Sequence, residues 1–335
     1  VFNTAVNPFL NVFRLDSLIE KANTKIIFPL YHTVSDKRLP HIDNLYKCRT
    51  VNEFETDLTF FTKNFKSESI ESVFKLINSK EIISEPRFHL TFDDGLKQVR
   101  DIIAPILLRK GVHATFFLNS GFIDNKALFY RFKTSLIIEA LKAKNFSKAT
   151  VQIVETKLGD IVGKTSREKL LNIKYSNANV LDDIAELLDL DFDSFLKSEP
   201  YLTSEDVRWL VDKGFTVGAH SIDHPRFSEI TIEDQFIQTT ESLDFVRRNF
   251  NTRLNLFAFP FSDIGVSNRF FETIYERNFV DMSFGTFGLR KDKFSNNFQR
   301  IAIEEDNSSA EEILKRNCLK LLILNLFNQN IIKRS

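Results

Sequence analysis

From residue 24 onward, short apolar runs of strand character alternate with amphipathic helical segments, and this alternation restricts the fold more than any single motif does. A strand followed by a helix and then a strand returns to the same end before pairing. Neighbouring strands therefore run parallel and helices cover the sheet. Thr24 to Leu30 carries a strand core (Ile26, Ile27, Phe28) that Pro29 should stop. Thr50 with Glu53 forms a capping box ahead of Phe54, Leu58 and Phe61, at helical spacing. A short helix over Ile70 to Ile77 leads to a strand at Phe88 to Phe92. The next helix passes through Val99, Ile102, Ile103, Ile106 and Leu107 to Gly111, its expected C′ residue, with Pro105 marking a kink or break. Val112 to Leu118 is the following buried strand.

The alternation stops between Ile123 and Tyr201. This stretch reads as helical over Leu128 to Leu141, Arg167 to Ile173 and Val180 to Leu190, and is too long for a loop. It is expected to be a helical insertion, 123–201, in a single domain spanning 1–335. The pattern then resumes with a helix (Ser204 to Lys213), a strand (Phe215 to Gly218), and a helix capped by Thr231 with Asp234 that runs to about Phe250. Strands at Leu256 to Phe261, Val280 to Phe284 and Phe298 to Ile303 follow, with a helix from Ser267 to Asn278. Ser309 with Glu312 caps a last helix, expected to reach Ile332. Such a chain makes either a barrel or an open doubly wound sheet. No strand is followed by a dinucleotide fingerprint or a P-loop, which weakens the open-sheet cofactor reading.

Chemistry concentrates at strand ends. His89-Leu90-Thr91-Phe92-Asp93-Asp94-Gly95 is a strand that closes on two adjacent carboxylates and a glycine. Adjacent carboxylates repel unless a cation or proton sits between them. His220 and His224 follow another strand in Gly218-Ala219-His220-Ser221-Ile222-Asp223-His224-Pro225, where Pro225 disfavours a regular helix at His224. Two histidines and a carboxylate form a familiar ligand set for Zn, Fe, Co or Ni with open positions. His-x-x-x-His alone is a weak signal, compatible also with two satisfied loop histidines. Lys plus Arg and Asp plus Glu balance at 45 each, so no net field favours nucleic acid. Cys48 and Cys318 read as free thiols. The longest apolar run, Leu321 to Leu324, is far too short to span a bilayer. Val1 to Phe13 shows no signal segment, which points to the cytoplasm, or to the envelope or exterior if a signal was trimmed.

The pair Thr-Phe-Asp-Asp-Gly and His-Ser-x-x-His-Pro resembles the NodB-like polysaccharide deacetylases of carbohydrate esterase family 4, over roughly residues 24–122 and 200–305. The motif layout is most similar to that of the circularly permuted biofilm-polysaccharide deacetylases. The resemblance implies an α/β fold, an irregular (β/α) barrel of about seven strands, and removal of an N-acetyl group from an amino sugar in a glycan or oligosaccharide. It implies a divalent metal, Zn first and Co, Ni or Fe as alternatives, on Asp94, His220 and His224, with Asp93 as general base. It also implies an oxyanion contact from the Pro260–Phe261 segment.

Two departures stand out. Many members tether the base with an Arg two residues before the motif proline, where this chain has Ala258. Many supply the general acid from a C-terminal His, and no His follows His224. The permuted members draw that acid from a segment resembling Tyr31-His32-Thr33-Val34, so His32 is the candidate acid here, against a plain loop histidine. Arg300 is the candidate tether, against a surface or salt-bridged arginine. His89 and His113 read as core histidines, and His41 as a loop residue without a nameable partner. A non-sugar amide as substrate, or a carbohydrate-binding protein without turnover, are the competing readings.

Overall fold

The computed structural model describes residues 10, 12–79, 83–304 and 306–334. The stretch read for a signal segment lies largely outside them, since residues 1–9 are not described. Eight short strands form one sheet: β1 (Pro29–Tyr31), β2 (Leu90–Phe92), β3 (Ala114–Leu118), β4 (Thr216–Ala219), β5 (Leu256–Ala258), β6 (Met282–Gly285), β7 (Asn297–Gln299) and β8 (Ile301–Ala302). Every pairing is parallel, in the order β7-β6-β5-β4-β3-β2-β1-β8. The two edges are consecutive in the chain, with only Arg300 between them. The Arg300 amide donates to Gly285 O (3.1 Å) and the Ile301 amide to Phe28 O (2.9 Å), so this stretch changes partners from β6 to β1. Taken as one broken strand it nearly closes a seven-stranded (β/α) barrel, the architecture the alternation and the resemblance imply.

Two strand readings need correction. Pro29 does not stop a strand; it begins β1, where a missing N–H is tolerated, and Ile26–Ile27 belongs to a separate sheet with Lys66–Ser67 and Arg87–Phe88. The strand read over Phe88 to Phe92 is likewise divided at His89 between that sheet and the barrel. His89 is a satisfied core histidine, with ring nitrogens 2.8 Å from Glu68 O and 2.8 Å from Thr115 Oγ1. His113 is not: it lies ahead of β3 and is exposed. His41 is buried against Phe132 and Phe195, neither ring nitrogen is hydrogen-bonded among the described residues, and burial lowers its pKa to about 4.

Pro105 is accommodated by a π-helical turn, Val99–Ile103, ahead of the α-helix Ala104–Lys110. The C-terminal helix ends at Leu326 and not near Ile332. Asn328 takes a left-handed backbone (φ 54), and Ile331–Ile332 pairs in parallel with Lys291–Asp292. Within 123–201 the helices Tyr130–Ala143, Lys148–Leu158, Ser166–Leu171 and Val180–Leu187 bury Ile137, Val154, Leu158, Leu170 and Ile184 in a core of their own. A second cluster, including Leu96, Phe122, Phe129, Phe132 and Tyr201, joins this layer to the barrel mouth. No helix among the described residues is long and apolar enough to cross a membrane.

Candidate active site

The C-terminal ends of parallel barrel strands open on one face, and loops there converge on a shared mouth. After β2 the chain turns sharply through Asp94 (φ 71) and Gly95 (φ 62). Asp is among the few residues that tolerate this left-handed region, and a Cβ on Gly95 would meet Leu118 at 3.2 Å. The loop after β4 is held by the Asn119 side-chain amide, which donates to His220 O, and by the His224 amide, which donates to Ser221 Oγ (3.0 Å). Ser221 (φ 71), His224 (φ 64) and Phe261 (φ 58) are also left-handed. Each such residue costs about 1–3 kcal/mol, and sites that need fixed geometry are where that cost persists.

Asp94, His220 and His224 each present one ligand atom, all within 4.8 Å of one another and buried. Asp94 Oδ1 lies 3.2 Å from His224 Nε2 and 3.7 Å from His220 Nε2. Asp94 Oδ1 and His224 Nδ1 have no partner in hydrogen-bonding geometry among the described residues. The His220 Nδ1–H donates to Ala258 O (2.8 Å), which leaves the Nε2 lone pair facing the carboxylates. Burial drives the His220 pKa down to about 4, so the ring is neutral at physiological pH. Two buried imidazoles and an ionised carboxylate with an orphaned oxygen fit a divalent cation of the Zn, Co, Ni or Fe type.

Asp93 is held differently. Arg300 Nη1 and Nη2 donate to its two oxygens at 2.6 and 2.8 Å, a bidentate pair with both side chains buried. Burial pushes the Asp93 carboxyl upward, but Arg300 and then His220 outweigh it and hold the pKa below the ordinary value. The tether that Ala258 does not supply is thus provided by Arg300, the residue at the seam of the barrel.

His32 follows β1 at the same mouth. Its Nδ1 lies 2.9 Å from Glu304 Oε2, and the His32 and Thr33 amides also donate to that carboxylate, at 2.8 and 3.2 Å. Burial disfavours the charged ring, yet the Glu304 hydrogen bond and charge, with Asp94 and Asp93, raise the pKa to about 9. Glu304 was not singled out from the sequence. It lies 272 residues from His32, and the available signal was a carboxylate just past the last barrel strand. The Phe261 ring packs on His224 (4.7 Å between centroids), as does Phe129 (4.4 Å) from the 123–201 stretch. Pro260 lacks an N–H, so the donor this segment offers is the Phe261 amide. Asp93, Asp94, His32, His220, His224 and Phe261 line one cavity of about 590 Å³, and Tyr130, Arg131 and Leu171–Lys174 of the 123–201 stretch line it as well.

A parallel barrel with a two-histidine, one-carboxylate cluster beside an arginine-held aspartate defines a hydrolase of the carbohydrate deacetylase class. The chain belongs to the polysaccharide deacetylase family, whose family model matches residues 80–270, more than half of its length. A search of curated proteins returned no match. Among solved structures, the fold is similar to a Streptococcus pyogenes deacetylase, PplD, in complex with acetate. That match has 16% identity and a TM-score of 0.56, covering 88% of this chain and 98% of the other. It is also similar to IcaB from Ammonifex degensii (13% identity, TM-score 0.54, 88% and 97% covered). A third is BC0361, a polysaccharide deacetylase from Bacillus cereus (13%, 0.52, 88% and 69%).

Proposed function

We propose that this chain hydrolyses the N-acetyl group of an amino sugar within a glycan or oligosaccharide, with a divalent cation on Asp94, His220 and His224. The observation that carries the reading is the convergence of that ligand cluster with Asp93, gripped from behind by Arg300, and His32 in one cavity at the barrel mouth. When bound, such a cation supplies Lewis acidity, making water more acidic and polarising a carbonyl. Asp93, kept ionised by Arg300, accepts the proton of the attacking water. The Phe261 amide is the backbone donor for the carbonyl oxygen as it gains charge. His32, charged through Glu304, gives a proton to the departing amine, so acetate and a free amino sugar result. Acetate release from N-acetylglucosamine oligomers, with and without chelator, tests the reading. Turnover confined to a non-sugar acetamide would replace it.

Two expectations follow at this level. His220→Ala is expected to leave the protein without stoichiometric metal after dialysis, measured by elemental analysis, because one of three buried donors is gone. Full metal content in that variant would remove His220 from the ligand set.

The second concerns pH. His32 must be protonated to act, so activity is expected to fall as pH rises through its pKa, which the protein's own groups raise to about 9 before any cation binds. Glu304→Gln removes the group that raises this pKa, and the alkaline limb of kcat/KM should move toward the ordinary histidine value near 6.5. A bound cation lowers both limbs and leaves their separation. Coincident limbs would return Glu304 to a purely structural role.

A further inference from the structure

One wall of the cavity carries charge that deacetylation of a neutral sugar does not use. Arg131, Lys174 and Arg226 line it, against a single carboxylate, Glu229. Glu229 is shared by Lys174 (3.3 Å) and Arg226 (3.9 Å), whereas Arg131 forms no ion pair among the described residues. Among the described residues, the Arg131 guanidinium makes one hydrogen bond, to the Leu171 carbonyl. Its placement is unfavourable on three counts. It is partly buried, it feels the like charge of Arg226, and it stands in the first turn of the helix Tyr130–Ala143, the positive end of the helix dipole. Burial, followed by the Arg226 charge, draws its pKa below the ordinary arginine value. Guanidinium groups match the oxygen pairs of phosphate and carboxylate, and an arriving anion would relieve all three costs together.

We propose that this wall is a subsite for an anionic substituent, phosphoryl or carboxylate, carried on or beside the amino sugar whose N-acetyl group meets Asp93. The inference rests on the deacetylase reading and adds the substrate's charge to it. The insertion then has a chemical role, because it supplies Arg131 and Lys174 while the metal-ligand loop supplies Arg226. Tyr175 of the insertion ties these parts together, donating to Asp223 Oδ2 at 2.5 Å within the His220–His224 loop.

The test is calorimetric titration of the metal-loaded protein with N-acetylglucosamine, N-acetylglucosamine 1-phosphate and N-acetylmuramic acid, with acetate release followed in parallel. The better anionic ligand should bind at least ~10-fold more tightly than the neutral sugar at low salt, and less so as salt rises. Tighter binding of the phosphate or of the carboxylate sugar assigns the group. Arg131→Gln should collapse the preference toward unity, and Arg131→Lys should retain part of it. Equal binding of all three sugars, with acetate still released, would overturn the anionic subsite alone. So would a preference that survives Arg131→Gln combined with Arg226→Gln. An anion preference with no acetate released from any sugar would overturn the deacetylase reading, and with it the wall's role as a substrate subsite.

Discussion

Asp93→Asn is expected to lower kcat by roughly 10²–10⁴-fold while the protein keeps its metal, since loss of a general base costs about that much. The division of labour between the two aspartates underlies this. Asp94 faces His220 and His224, whereas both Asp93 oxygens are taken by Arg300. Asparagine preserves shape but has no charge and cannot take a proton. It also leaves the buried Arg300 guanidinium facing a neutral amide, so some loss of stability should accompany the loss of rate. Metal analysis and thermal unfolding on the same preparation separate the two effects. A variant that is folded, metal-loaded and slow supports the assignment; undiminished turnover removes Asp93 as the base.

Much of this site was legible because its parts are local in sequence. Asp93 and Asp94 are adjacent, His220 and His224 are four apart, and each group ends a strand whose apolar pattern is plain. The barrel was legible for the same reason: alternation of strand and helix leaves few parallel solutions. What spacing does not encode is pairing across the ring. Glu304 reaches His32 because β8 lies beside β1, a neighbour relation that exists only once the barrel closes. Arg300 could be nominated from its place at the start of a strand, but its burial and two-pronged grip on Asp93 depend on the change of partners at the seam. The errors also have local causes. Pro29 looks like a terminator unless a second sheet precedes it, and the last helix looks longer than it is because Ile331 and Ile332 lie beyond Asn328, where the chain reverses.

The Arg300–Asp93 pair should dominate stability as Asp93 dominates rate. Arg300→Met leaves a buried carboxylate without its partner, which costs about 3–5 kcal/mol. At about 2 °C per kcal/mol for a chain of this size, that is a fall in Tm of roughly 6–10 °C. The Asp93→Asn, Arg300→Met double variant carries neither charge and is expected to lose less than the sum of the single losses, with a coupling of roughly 2–3 kcal/mol. Measurement on chelator-treated protein keeps a bound cation from masking the balance. The pH dependence has a definite sign. With Arg300 present the Asp93 pKa is depressed, so its contribution is complete above the ordinary carboxylate value near 3.9 and lost as pH falls through the lower folded-state value. In Arg300→Met burial acts without its largest opponent and raises the pKa, so the variant's deficit should shrink on acidification as the carboxyl takes up a proton. Single losses that merely add, or a deficit indifferent to pH, would mean that Arg300 holds the seam of the barrel and not the base.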